Sequence, residues 1–304
     1  MEYFRAAGKA KIRNLTIKRL KLAFTWLAAP ILAAVLTCAP LRAETSSGGW
    51  HRGEDAAARL IAGQSGMNAE GRIWLGVQIK LKPGWKTYWR NPGESGAPPR
   101  FDWSASLNLA TADVRWPAPL RFSAYGFDSF GYQDEVVLPV LLRARAPGKA
   151  TLARLKLDYM ICAKVCVPMQ ADLSLELAAA AGKVAKASAF APLIRHYRDL
   201  IPQTAGKSGL SIDSATVSGP AGQQILHISG RSTRPFQAPD LMVEGPEPFG
   251  FGRPNATFGP GRHDIVLALP VFAGTSKAAL TTQALTLTLV DGDRAVERRL
   301  EVGE

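Results

Sequence analysis

Two cysteines four positions apart, Cys162 and Cys166, are the residues of this 304-residue chain best suited to chemistry. They lie in Tyr159-Met160-Ile161-Cys162-Ala163-Lys164-Val165-Cys166-Val167-Pro168-Met169. In a regular strand residues i and i+4 share a face, but their Cα atoms stand about 13 Å apart. A disulfide needs Cα atoms at roughly 4.4–6.8 Å. A bond between these two therefore predicts a helical turn or tight bulge at a strand end. Pro168, which cannot donate to a sheet ladder, fits such a break. Closing so short a loop stabilises by only ~2 kcal/mol, against ~4.7 kcal/mol for a loop of a hundred residues. The spacing thus suits a bond that opens and closes better than a staple, although an inert clip stays open. Lys164 between the sulfurs would favour a thiolate and quicken exchange. A metal is the third option. Met160 and Met169 flank the pair as M-x-C-x3-C-x2-M, and thiolate with thioether donors suit Cu(I), although filling a core is the commoner fate of methionine.

Little else in the sequence offers chemistry. His51, His196, His227 and His263 are scattered, with no i, i+4 pair and no acid at ligand spacing. Serine nucleophile motifs, phosphate-cradling glycine loops and Walker patterns are absent, and no cofactor is called for. Trp74, Trp85, Trp89, Trp103 and Trp116 crowd one region, where they serve either a carbohydrate platform or, more simply, a sandwich core. Arg90 and Asn91 could hold their loop by hydrogen bonds.

The elements that position the pair read as β-structure. IWLGVQIKLK (73–82), VVLPVLLRARA (136–146), ATLARLKLDYMI (150–161) and DLSLEL (172–177) alternate apolar and polar residues, as half-buried strands do. Between them lie GWKTYWRNPGESGAPP (84–99) and WPAPLRFSAYGFDSFGY (116–132), read as long loops rich in Gly, Pro and aromatics. Such spacing predicts an antiparallel β-sandwich over 50–180. An Ala-rich segment with an amphipathic end (181–204) predicts a short helical linker. Residues 205–304 repeat the strand habit, and TLTLVDGDRAVERRLEV predicts a hairpin around its DG-containing turn. The fold class is therefore all-β, with a second small β-sandwich following the first.

Composition narrows the setting. The chain is 47% hydrophobic and 20% charged, which excludes a disordered tail, a collagen-like repeat and a disulfide-dense mini-protein. The net charge of +12 is concentrated in residues 1–43, where eight Lys and Arg face one acid, Glu2. The remainder is only mildly basic and argues for no nucleic-acid partner. Residues 1–21 are basic and Leu22–Leu36 is an uncharged apolar run, followed by a polar stretch rich in small residues. That order predicts a signal peptide over 1–43 with cleavage after Ala43, and export to a compartment where disulfides persist. The apolar run is short for a membrane span and holds Pro30, so a retained anchor or a lipid attached at Cys38 is the lesser expectation. Cleavage at Ala43 leaves Cys162 and Cys166 as the sole cysteines.

GWKTYWRNPGESGAPP (84–99), GYQDEVVLPV (131–140) and LDYMICAKVCVPMQADLSLEL (157–177), in this order, resemble the N-terminal periplasmic, disulfide-corrector domain of the DsbD/ScsB thiol:disulfide interchange proteins. The likeness runs from about residue 55 to 180, and the three residues between the cysteines are similar to the ScsB-like members. The resemblance implies an immunoglobulin-like sandwich with Cys162 and Cys166 as its redox pair. It implies that the pair takes electrons from a membrane-embedded hub and passes them to thioredoxin-like periplasmic proteins. No stretch resembles that hub, so the donor would be a separate polypeptide. It also implies an aromatic cap over the pair in RFSAYGFDSFGY (121–132), with Tyr125 the nearest match and Phe127 and Phe130 behind it. Gly126 and Gly131 would then let the cap swing. Ser123 stands where some relatives carry acids beside the cap.

Overall fold

The alternating strands pair into two sheets that face each other across one core, because each has an apolar face to remove from water. In the computed structural model, residues 46–179, 185–204, 207–274 and 278–303 are described. The expected signal peptide and Cys38 lie outside them. The first half contains β1 (His51–Arg52), β2 (Ala56–Ala62), β3 (Arg72–Leu81), β4 (Lys86–Gly93), β5 (Arg100–Asp102), β6 (Leu109–Val114), β7 (Leu120–Ala124), β8 (Phe127–Gln133), β9 (Glu135–Ala144), β10 (Thr151–Cys162) and β11 (Cys166–Leu177). One sheet has the order β1-β2-β3-β9-β6, the other β11-β10-β4-β8-β7 with β5 added beside β10. All their pairings are antiparallel.

Strand β10 shows how the sequence sets its own faces. Ala153, Leu155, Leu157, Tyr159 and Ile161 are buried, while Arg154, Lys156 and Asp158 between them are exposed. Even-numbered residues of β10, Cys162 included, therefore belong to the outer face of the second sheet. Trp89, fully buried, joins the inner core with Leu75, Leu138, Leu155 and Leu173.

Two segments read as loops are strands. KTYWRNPG is β4, and the aromatic stretch 120–133 is the β7–β8 hairpin. Their Pro and Gly content hid the pattern, yet β4 is central in its sheet. The helix expected in the linker is α1 (Ala191–Asp199), with proline in its first turn. It packs on the first sandwich through Ile194 against Ile61 and Val137. The Tyr197 hydroxyl donates to the Glu135 carbonyl at 2.8 Å.

The second half contains β12 (Leu210–Ser218), β13 (Ile225–Ser232), β14 (Pro239–Glu244), β15 (Gly250–Phe251), β16 (Asn255–Phe258), β17 (Asp264–Phe272), β18 (Ala284–Asp291) and β19 (Arg294–Glu301). One sheet runs β12-β13-β17-β15 with β16 beside β17, and the other β14-β18-β19. They enclose a second core of Leu226, Leu267, Leu287, Phe236 and neighbours. The expected hairpin is β18–β19, with Asp291 opposite Arg294 across a two-residue turn whose Gly292 has φ +67°. Residues 43–304 form one compact unit, and Met242 of β14 packs into the core of the first sandwich. No helix among the described residues is long and apolar enough to cross a membrane.

Candidate functional site

Strands β10 and β11 are the two arms of one hairpin, and their register ends on the pair Cys162 and Cys166. The chain reverses through Ala163, Lys164 and Val165, so the two Cα atoms come to 4.0 Å and the sulfurs are joined as a disulfide. This corrects the expected helical turn or bulge. The spacing estimate took the chain to run on in one direction, whereas reversal makes i and i+4 cross-strand neighbours. Pro168 is no break either. It lies within β11 opposite Met160, on the outermost strand, where a missing N–H is tolerated.

The two sulfurs differ in access. Cys162 is 8% exposed, whereas Cys166 is exposed at the mouth of the hairpin. On the same outer face β4 presents two polar residues. Lys86 is the Cα partner of Cys162, and the Tyr88 hydroxyl donates to the Cys166 sulfur at 3.5 Å. Tyr88 itself is buried, because the segment after β4 lies over it; a Cβ on Gly96 would fall 2.2 Å from its ring. Desolvation raises the Tyr88 phenol above its ordinary value, so it stays a donor. One position along, Thr87 turns inward and its hydroxyl donates to the Met160 carbonyl at 2.9 Å, tying β4 to β10.

Lys86 is fixed by the β7–β8 hairpin. Its ammonium donates to the Ser129 hydroxyl at 2.9 Å and lies 5.1 Å from the centre of the Phe122 ring. Burial lowers it from the ordinary lysine value. Phe122 and Ser129 are opposite one another in the hairpin ladder, and so are the next pair, Ser123 and Asp128. Successive pairs face opposite sides, so the other face of the hairpin carries Arg121, Ser123, Asp128 and Phe130. That face meets the second domain. Arg121 donates to Asp128 at 2.8 Å, to Asp240 at 2.8 and 2.9 Å, and to the Leu241 carbonyl at 2.9 Å. Arg253 donates to Asp128 at 2.8 Å and to the Ser123 hydroxyl. Burial pushes the Asp128 carboxyl up, but hydrogen bonds from Arg253, Ser123 and Arg121 outweigh it and hold the group well below the usual carboxylate range. Nearby, Arg90 donates to Glu244 at 2.6 Å and to Glu297, so it holds the second domain, while Asn91 accepts from the Gly93 amide of its own segment at 3.0 Å.

The remaining expected site residues fall on the β7–β8 hairpin, in the turn between the cysteines and along β10 and β11. Tyr125 and Phe127, the cap residues, sit at the tip of the β7–β8 hairpin and are 85% and 55% exposed. Tyr125 and Gly126 form its two-residue turn with φ +55° and +85°, the geometry that matches strand twist. A ring buried over the disulfide is therefore not what Tyr125 provides in this conformation. Phe130 is buried and faces Arg121, whose guanidinium lies 4.8 Å from its ring centre. Gly131 is no swivel: a Cβ there would meet the Thr87 carbonyl oxygen at 1.9 Å, so glycine permits β8 to approach β4. Lys164 lies exposed in the turn between the cysteines. Met160 shares the cysteine face, but Met169 pairs with Tyr159 on the opposite face and packs toward Gly53. The four donors of the Cu(I) alternative thus do not share a face. No cluster of three or more His, Cys, Asp and Glu suited to a metal occurs among the described residues.

Lys86, Tyr88, Asp128 and Arg253 escaped sequence reading. The signal for the first two was present, since the K-T-Y of GWKTYWRNPG puts residues 86 and 88 on one face once the segment is taken as a strand.

Comparison with known proteins agrees with this geometry. The family described as thiol:disulfide interchange protein DsbD, N-terminal, matches residues 57–178, and a domain of unknown function, DUF8393, matches residues 200–304. The crystal structure of the N-terminal periplasmic domain of ScsB from Proteus mirabilis superposes with a TM-score of 0.66 at 23% identity, covering 85% of this chain and 99% of that one. A conserved domain protein from Bacillus anthracis gives a TM-score of only 0.21 at 8% identity, over 81% of this chain and 76% of that one. No curated protein matches. The fold is thus that of the ScsB domain, and the stretch matched by the family model, residues 57–178, includes both cysteines. Over residues 57–178 the chain therefore carries a DsbD/ScsB-type N-terminal domain.

Proposed function

We propose that this protein is exported to the periplasm behind a signal peptide spanning residues 1–43. There it relays electrons through Cys162 and Cys166, from a separate membrane donor of the DsbD hub type to thioredoxin-like proteins. The observation that carries the reading is the asymmetry of the disulfide: one exposed sulfur, one sheltered sulfur, and polar side chains facing both. A donor thiolate attacks Cys166, the accessible sulfur. A donor–Cys166 disulfide forms, and the electron pair of the old bond leaves on Cys162 as a thiolate, which then takes a proton. A second donor thiolate attacks its own sulfur in the mixed disulfide and releases Cys166. The donor is left oxidised, and this chain has gained two electrons and two protons. The same steps in reverse reduce a thioredoxin-like client. Tyr88 suits this chemistry because its hydroxyl can stabilise negative charge on Cys166 as it leaves. The Tyr125–Phe127 tip supports contact with partners better than shielding, since both rings are already exposed.

Trapping in cells tests the proposal. With Cys162 replaced by serine, Cys166 should hold a thioredoxin-like protein as a mixed disulfide, visible on non-reducing gels and identified by mass spectrometry. Absence of any trapped species in both single-cysteine variants, with a disulfide that resists millimolar glutathione, would overturn it.

A further inference from the structure

We propose that Lys86 is the cation that stabilises the thiolate on Cys162, and that the second domain holds it in place through the β7–β8 hairpin. The proposal rests on Cys162 and Cys166 being a reversible pair, in which Cys162 leaves as the buried thiolate. A leaving sulfur departs faster when its negative charge is stabilised. Lys86 is directly opposite Cys162 on the outer face of the sheet, a relation that brings Cβ atoms to about 4.5–5.5 Å. Lys164, the cation expected from sequence, is exposed in the turn, where water screens it.

The support for Lys86 is continuous across the hairpin. Ser129 accepts from its ammonium and Phe122 lies against it. The adjoining Ser123–Asp128 pair is bound by Arg253 of the second domain, and Arg121 ties the same Asp128 to Asp240. Two adjacent rungs of one ladder thus carry Lys86 on one face and the second domain on the other. An unsupported lysine would spread its charge over many rotamers; this one, rooted opposite Cys162, is confined by Ser129 and Phe122.

Other charges face the pair from fewer directions. On β4 the remaining titratable groups are Tyr88 and Arg90, the latter engaged by Glu244 and Glu297, and the turn contributes Lys164. On β10 the nearest is Asp158, whose carboxylate accepts from Gln170 at 2.7 Å and lies four rungs from Cys162, with Lys156 and Arg154 farther along the same face. On the hairpin it is Asp128, engaged by the two arginines. None of these replaces a cation opposite Cys162.

The experiment follows alkylation of Cys162 against pH in the full chain carrying Cys166→Ser, resolved by peptide mass spectrometry so that Cys38 does not interfere. Lys86→Met should raise the alkylation midpoint by about one pH unit. Lys86→Arg, which keeps the charge, should leave it close to the parent. Arg253→Ala should raise it by a smaller step, because the hairpin loosens while the ammonium remains. If Lys86→Met does not fold, Ser129→Ala tests the same support and should also raise the midpoint. A midpoint unmoved by Lys86→Met, or moved equally by Lys86→Arg, overturns the role of Lys86. One unmoved by Arg253→Ala overturns the role of the second domain. No exchange partner enters this measurement, so it can fail while trapping succeeds, and the reverse.

Discussion

Replacing Arg121 by methionine should unlatch the two domains at measurable cost. Its side chain is 10% exposed, and its partners Asp128 and Asp240 are 16% and 27% exposed. Four hydrogen bonds of 2.8–2.9 Å leave this one guanidinium, which also lies over the Phe130 ring. Breaking a buried pair by deleting one member costs about 3–5 kcal/mol, since the partner charge is left in a poor solvent. The lower end applies here: Asp128 keeps Arg253 and Ser123, and Asp240 can reach water. We expect a loss of about 3 kcal/mol, which for a chain of this size corresponds to a fall in Tm of roughly 6–12 °C. Urea unfolding followed by intrinsic tryptophan fluorescence reads the change. The tryptophans are concentrated in the first domain, so a separate, earlier transition of the second domain would show as disagreement with far-ultraviolet circular dichroism. Arg121→Lys should recover only part of the loss, because an ammonium cannot serve two carboxylates and a carbonyl in the same fixed fork. A loss below about 1 kcal/mol in Arg121→Met would refute the latch, as only exposed pairs are worth so little.

Three further outcomes follow from the same geometry. Gly131→Ala should destabilise by about 1–3 kcal/mol, checked by urea unfolding, because its Cβ would meet the Thr87 carbonyl oxygen at 1.9 Å and β8 must shift. Tyr88→Phe should keep the fold but make the disulfide harder to reduce, by about 1 kcal/mol or roughly 20 mV in a redox titration, because the reduced Cys166 loses a donor. The Asp128 carboxyl is held below its unfolded value, so its contribution is complete above about pH 4 and is lost only as pH falls further. Stability of the latch should therefore be flat from about pH 5 to 8, and Asp128→Asn should remove the acid-side loss from a pH series of unfolding midpoints.

Much of the fold could be read from alternation alone. Strands β3, β9 and β10 and the β18–β19 hairpin follow from apolar periodicity and, for the hairpin, a DG turn signal. Strand β4 and the β7–β8 hairpin were hidden because their Gly and Pro mimic loop composition, although Tyr125-Gly126 is a hairpin turn by its backbone. The chain reversal at Ala163-Lys164-Val165 carries no Gly, Asn or Pro, so nothing local announced it. Its consequence was large, since reversal turned an awkward i, i+4 spacing into a cross-strand disulfide. That the two cysteines could bond was legible from residue types; the polar side chains around them were not. Lys86 is 76 positions before Cys162, and Arg253 is 125 from Asp128. Contacts at such separation are set by topology, which no short window contains.

The most direct test of reversible exchange at Cys162–Cys166 is a redox titration of the purified protein against glutathione, read by alkylation of the two cysteines. A midpoint near about −200 mV, within reach of thioredoxin-like partners, is the result expected of an exchange pair. A midpoint below about −300 mV would mark the bond as structural and contradict the proposed relay.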